Sequence, residues 1–412
     1  MDKRRLFTIF AVVFVDVLGF GLILPLLPYY ATRFGASAFV IGPLTASYPA
    51  AQIIGGPLLG RLSDRYGRRP ILIVSIAGTA VSFLILGWAS ALWILFAGRI
   101  LDGLTGGNIT VAQSYITDIT TAKDRARGLG LTGAAFGLGF IIGPALGGLL
   151  SQWGYGVPAF VAAGVATLNV LLVTFFLPES LSPERKAELA ASPRGGVTAK
   201  RLTEALRRPL FGDALELRFF FGFAFAMFQT MFSLWALKHL NLGPQAIGLL
   251  LGYVGVLSVF VQLVLIGPLT RRFSEGLLLV VTLGVAGVFL FAWGVSPNIP
   301  VLLAVLTPLC FAISIQNTVS QSVLSKTVGP TEVGGAFGLS LAVQTVGSIA
   351  APIIGGAIIG SVGTWAPGVL AGAVCLALVP FAWSKFAKRG APFSAPPQAT
   401  SGPAVAGPES GD

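Results

Sequence analysis

The chain is short of charge. Only 10% of its 412 residues are Asp, Glu, Lys or Arg, where soluble globular proteins carry about 25%. That is too little to cover a water-facing surface, so a soluble enzyme is excluded and no enzymatic role is expected. There is one histidine, His239, and there are two cysteines, Cys310 and Cys375, both inside apolar runs. A His-based metal centre and a disulfide framework therefore have no material. No GxxxxGK[ST] loop occurs, so direct ATP drive is not indicated, and no cofactor or metal is implied.

What is present is apolar. Hydrophobic residues make up 54% of the chain, with 30 phenylalanines and 53 glycines, and the mean hydropathy is +0.84. A membrane helix needs about 20 apolar residues, and it satisfies its own backbone groups in lipid. Apolar runs between charged or Pro/Gly breaks predict twelve spans: 6–31, 39–62, 70–90, 92–118, 125–151, 157–177, 214–238, 244–270, 275–295, 298–323, 332–361 and 364–386. The expected fold class is an all-α membrane protein.

The net charge of +11 then reads as topology. With both termini cytoplasmic, the inner segments hold 23 of the 27 Lys and Arg residues, among them Arg61 to Arg69, Lys123 to Arg127 and Arg185 to Arg208. This is the positive-inside pattern of an inner (plasma) membrane protein, and no nucleic-acid partner is expected. The expected organisation is an N-terminal six-helix bundle (1–177), a cytoplasmic linker (178–213), a C-terminal six-helix bundle (214–389) and a disordered tail (390–412). The halves echo each other: GRLSDRYG at 60–67 aligns with GPLTRRFS at 267–274, and GPALGG at 143–148 with APIIGG at 351–356. Such repeats suggest the duplicated halves of many secondary transporters.

Between spans two and three lie Gly60, Leu62, Asp64, Arg65, Gly67, Arg68 and Arg69. They resemble the signature loop of the major facilitator superfamily. Gly139, Gly143, Pro144, Gly147 and Gly148 in span five are similar to the glycine-proline motif of its drug–proton antiporters. FVDVLGFGLILPLLP at 14–28 and GRILDGLTGG at 98–107 are similar to tetracycline and multidrug exporters. The resemblance implies two pseudo-symmetric bundles and a cytoplasmic gate in which Asp64 caps span eleven and Arg68 pairs with Asp118. It also implies a bending hinge at Pro144. Read physically, the glycines let another helix approach closely and Pro144 removes one backbone bond, so tight packing alone also accounts for them.

Ionisable groups deep in a bilayer are costly and mark pathways or proton sites. Three are expected here: Asp16 about 15 Å into span one, Asp102 near the middle of span four, and Arg99 about 5 Å beyond it. Arg99, Asp102, Gly106, Thr110, Gln113 and Thr117 recur on one face of an unbroken span four, a stripe that should line a central cavity. The resemblance implies proton transfer for Arg99, acting on the carboxylate of span one. Asp16 is favoured as the cycling group. Asp102 is either a second proton site or the fixed partner of Arg99, and a permanent Asp–Arg–Asp network is the alternative.

The C-terminal half is expected to hold no charge at mid-depth. Phe225, Gln229 and Phe232 in span seven, Asn317 and Gln321 in span ten and Gln344 in span eleven are candidate substrate contacts, beside Thr110 and Gln113. An aromatic wall with neutral polar groups suits large, flat, weakly polar ligands. Tetracycline–metal exchangers of the resembled family carry further acids in spans three and nine, and 70–90 and 275–295 hold no interior acid. The reading is a monomeric exchanger of protons for amphipathic drugs or metabolites. Its alternatives are uptake by symport and a non-transporting receptor.

Overall fold

The computed structural model describes residues 3–120, 125–191, 199–329 and 332–388. Expectations on Lys123 and the 390–412 tail lie outside the described residues. Among these there is no strand, and the helices make twelve crossings. Ten are long and apolar enough to be recognised as spans by composition. The other two are span two, Ala38–Tyr66, with three internal prolines, and span four, which is broken into Leu92–Thr105 and Asn108–Ile119. Span four was expected to be continuous. Gly106 and Gly107 interrupt it, because glycine is a poor helix former.

The remaining spans lie close to their expected limits. Span one runs Lys3–Ile23 and continues as Leu24–Leu26 and Leu27–Arg33, tightening where Pro25 and Pro28 withdraw backbone donors. Spans three, five and six are Arg68–Gly87, Arg125–Leu150 and Val157–Phe176. Span seven is Phe211–His239 and span eight runs Pro244–Phe260, Val261–Leu265 and Ile266–Arg272. Spans nine to twelve are Glu275–Gly294, Ile299–Lys326, Val333–Ser361 and Ala366–Ala382. The central linker is not wholly a loop. Its PERKAELAA and AKRLTEALR stretches consist of good helix formers and fold as Pro183–Ala191 and Ala199–Arg207.

Helix packing carries the internal repeat into three dimensions. In the first half, span one packs on five and six, three on six and four, and two on four. In the second half, seven packs on eleven and twelve, nine on twelve and ten, and eight on ten. Adding six to each number of the first set gives the second, so the halves are pseudo-symmetric. Two principal contacts join them, span two with span eleven and span five with span eight, and the same operation exchanges the two.

Both junctions are made by glycines of the repeated GPALGG and APIIGG stretches. A Cβ on Gly148 would lie 2.7 Å from the Pro244 carbonyl oxygen and 3.1 Å from the Gly248 Cα. One on Gly356 would lie 2.4 Å from the Ala38 carbonyl oxygen and 3.0 Å from the Gly42 Cα. All these positions sit at one end of the spans. At the other end, where Arg61 to Arg69, Arg271, Arg272 and Lys326 cluster, added Cβ atoms on Gly60, Gly133, Gly267 and Gly335 would meet nothing within 4 Å. The halves close on one face and part toward the basic face.

Candidate functional site

The broken fourth span organises the charged cluster of the first half. Its break frees carbonyl groups that lipid could not satisfy. Ser75 donates to the Thr105 carbonyl, and the Gln52 side chain donates to the Gly106 carbonyl at 2.8 Å and to the Tyr48 hydroxyl at 3.0 Å. Close approach permits this: a Cβ on Gly103 would lie 2.3 Å from the Tyr48 carbonyl oxygen, and one on Gly55 2.2 Å from that of Leu104.

Arg99 and Asp102 sit just before the break. Arg99 Nη1 donates to Asp102 Oδ2 at 3.0 Å, with the two side chains 1% and 4% exposed. The guanidinium lies over the Tyr48 ring at 4.5 Å and faces Phe20 at 5.6 Å, two cation–π contacts that compensate part of its lost hydration. Asp16, one helical turn before Phe20, is paired differently. It accepts from the side-chain amide of Asn108, the first residue after the break. Among the described residues no cation lies within ion-pair distance of Asp16. The cluster is therefore two separate pairs rather than one Asp–Arg–Asp network. The sequence reading missed Asn108. The signal was there in Gly-Gly-Asn, a helix break followed by an amide.

The break also divides the expected polar stripe. Arg99, Asp102 and Gly106 are buried, but Thr110 and Gln113 are exposed on the second segment and do not line the cavity described below.

At the basic face Arg68 is fully buried. Nη1 lies 2.6 Å from Asp64 Oδ1, and Nε donates to Asp118 Oδ2 at 2.9 Å. The structure thus brings Arg68 and Asp118 together as the resemblance implied. Gly67 adopts φ +114°, which favours glycine, and turns the chain into span three. Glu179, which the sequence did not single out, accepts from the Arg68 and Arg69 backbone amides at 2.9 and 3.2 Å and satisfies the exposed start of that helix. Arg65 is exposed and stacks its guanidinium on Tyr66. Asp64 is buried against Arg68, while Gly60 on span two and Gly335 and Gly338 on span eleven face open space, so the two helices diverge at this end.

The glycine-proline motif packs two ways. Gly139, Gly143 and Gly147, four residues apart, seat span one: added Cβ atoms would lie 2.7 Å from Val17 Cγ1, 2.8 Å from Gly21 Cα and 2.4 Å from the Leu22 carbonyl oxygen. Gly148, one residue round the helix, meets span eight across the halves. Pro144 lies within the unbroken helix between them.

The second half holds a cavity of about 150 Å³, lined by Phe221, Phe225, Gln229, Asn317, Ser320 and Gln344 among others. Four candidate residues, Phe225, Gln229, Asn317 and Gln344, meet here. Phe232 does not. It lies farther along span seven, fully buried against Trp235 and, on span nine, Trp293. Gln321 is exposed and lies outside the lining. This half also holds a buried charge, since Arg218 lines the cavity and is 6% exposed. It lies on span seven, and the sequence analysis did not single it out. The helix starts at Phe211, which puts Arg218 about 10 Å along it.

The comparisons with known proteins agree with this architecture. The family model described as "Major Facilitator Superfamily" matches residues 9–235 and 214–408. The tetracycline resistance protein, class H, of Pasteurella multocida is 31% identical over 85% of this chain and 88% of its own. Multidrug resistance protein 2 of Bacillus subtilis is 30% identical over 84% and 86%. Among solved structures, a bacterial homolog of the human lysosomal transporter Spinster, inward-facing and occupied, superposes with a TM-score of 0.75. It is 16% identical over 93% of this chain and 97% of that one. With the family model matched along both halves and these resistance proteins matched along most of its length, the chain belongs to the major facilitator superfamily, beside its tetracycline and multidrug efflux members.

Proposed function

We propose that the protein is a proton-coupled exporter of amphipathic organic compounds, acting as a monomer in the inner membrane with its basic face and both termini in the cytoplasm. The observation that carries this reading is the environment of Asp16. A mid-span carboxylate whose named partner is the neutral amide of Asn108 can be protonated without breaking an ion pair. Asp102, in contrast, is held by Arg99. Asp16 is the cycling group and Arg99–Asp102 the fixed pair.

The open basic face supports alternating access. In this state substrate enters from the cytoplasm while Asp16 exchanges its proton with the same side. Closure around Asp64, Arg68 and Asp118, with parting of the glycine junctions on the opposite face, delivers substrate outward. A proton from that side then resets the carrier. Pro144 and its glycines serve as the hinge of span five. The similarity to efflux proteins supports export over uptake.

A tetracycline–metal complex fits less well. Span three has no acid, and Glu275 at the start of span nine is held by Lys326 at 2.8 Å and by Ser322.

The test is transport in proteoliposomes of two fluorescent amphipathic dyes, one anionic and one cationic, under imposed proton gradients. A dye should move against its concentration when protons flow the opposite way, and Asp16→Asn should abolish this while leaving dye binding intact. Dye moving in the same direction as protons would replace export by symport. Movement indifferent to the gradient would remove proton coupling.

A further inference from the structure

Three arginines are buried among the described residues, and two of them are matched by acids: Arg68 by Asp64 and Asp118, and Arg99 by Asp102. The third, Arg218, is not. Its Nε donates to Ser340 Oγ at 2.6 Å and its Nη1 to Ser320 Oγ at 3.0 Å, and both acceptors are neutral. No carboxylate among the described residues lies within ion-pair distance of it. Buried charges are ordinarily paired, because losing hydration without a counter-charge costs several kcal/mol per ion.

The surroundings hold Arg218 in place. The Arg218–Ser340 bond links spans seven and eleven, Ser340 Oγ also accepts from the Gln344 side chain at 3.1 Å, and Ser320 brings in span ten. A guanidinium fixed on three helices at a cavity wall, with its charge unmatched, is prepared for a negative group that arrives. Phe221 and Phe225 supply an aromatic surface beside it, and Gln229 and Asn317 supply amide groups. A cavity of this size admits an aromatic ring. Basic residues also surround the open face, and their field draws anions toward the entrance.

Building on the export reading above, we propose that the cargo is an amphipathic organic anion: an aromatic body against Phe221 and Phe225, with a carboxylate or sulfonate paired to Arg218. The cargo supplies the counter-charge that the protein lacks.

The test uses 2-naphthoate and 2-naphthamide, which share a ring system and differ in charge, with inorganic phosphate as a third probe. Binding is measured by calorimetry and thermal protection on the purified full-length protein at neutral pH. Wild type should bind the acid at least about tenfold tighter than the amide, the scale of one desolvated charge-assisted bond. Arg218→Gln should lose that preference, and Arg218→Lys should keep part of it. Equal effects of acid and amide on wild type, including none, would overturn the proposal, as would a preference that survives Arg218→Gln. Protection by phosphate equal to that by naphthoate would make this a small-anion site and overturn the cargo assignment. If the vesicles transport dye under a proton gradient while acid and amide behave alike, the anion assignment fails alone. If acid preference holds without gradient-driven transport, it is the export reading that fails.

Discussion

At the scale of single residues, burial and partner decide what each charge can do. Arg68 has no exposed surface and lies between two acids. Replacing it with leucine would leave Asp64 and Asp118 facing an apolar group. Loss of one partner from a buried pair costs about 3–5 kcal/mol, and the partial exposure of Asp118 puts this site nearer the lower end. Denaturant unfolding of Arg68→Leu in micelles should show a loss of that order. Arg68→Lys should recover part of it, since an ammonium keeps the charge but not the planar fork. Wild-type stability for Arg68→Leu would mean that the pairs contribute little to the fold. The sequence made Arg68, Asp118, Arg99 and Asp102 legible because motif spacing or helical spacing constrains them. Asn108 and Glu179 were hidden because each partners a residue far away in the chain. Arg218 was hidden for the same reason, its partners Ser320 and Ser340 lying on spans ten and eleven.

At the scale of helices, glycine sets how near two spans may come. A Cβ on Gly42 would lie 2.3 Å from the Pro352 carbonyl oxygen, so Gly42→Val must push spans two and eleven apart on the face opposite the basic loops. Overpacking of this kind costs about 1–3 kcal/mol, enough to change a conformational ratio some 5- to 150-fold. Spin labels at Trp153 and Trp365, exposed on that face in opposite halves, should show a longer distance in Gly42→Val than in wild type. An unchanged distance would mean that the junction does not control opening. The repeated GPALGG and APIIGG stretches were visible in the sequence, but not that each copy meets the other half; periodicity reports a helix's own face and not its neighbour. The expectation for span four failed for a related reason. Its apolar run is continuous, so the break shows only in the Gly106–Gly107 pair and in the side chains that satisfy it.

At the scale of the molecule, the two halves have parted in their chemistry while keeping one architecture. The first holds the paired charges around Arg99 and the carboxylate of Asp16. The second holds a cavity with an unmatched arginine. In the proposed exporter, alternating access would let one half carry the proton and the other the cargo, provided that the two are thermodynamically linked. Linkage requires that cargo binding to the state open on the basic face favours the deprotonated carrier. The most direct measurement is therefore proton release when the dye that the vesicles transport is added to purified protein in weakly buffered solution. Wild type should release up to about one proton per dye bound, Asp16→Asn none, and Asp102→Asn an amount near that of wild type. Equal release from wild type and Asp16→Asn, or none from wild type, would contradict the account.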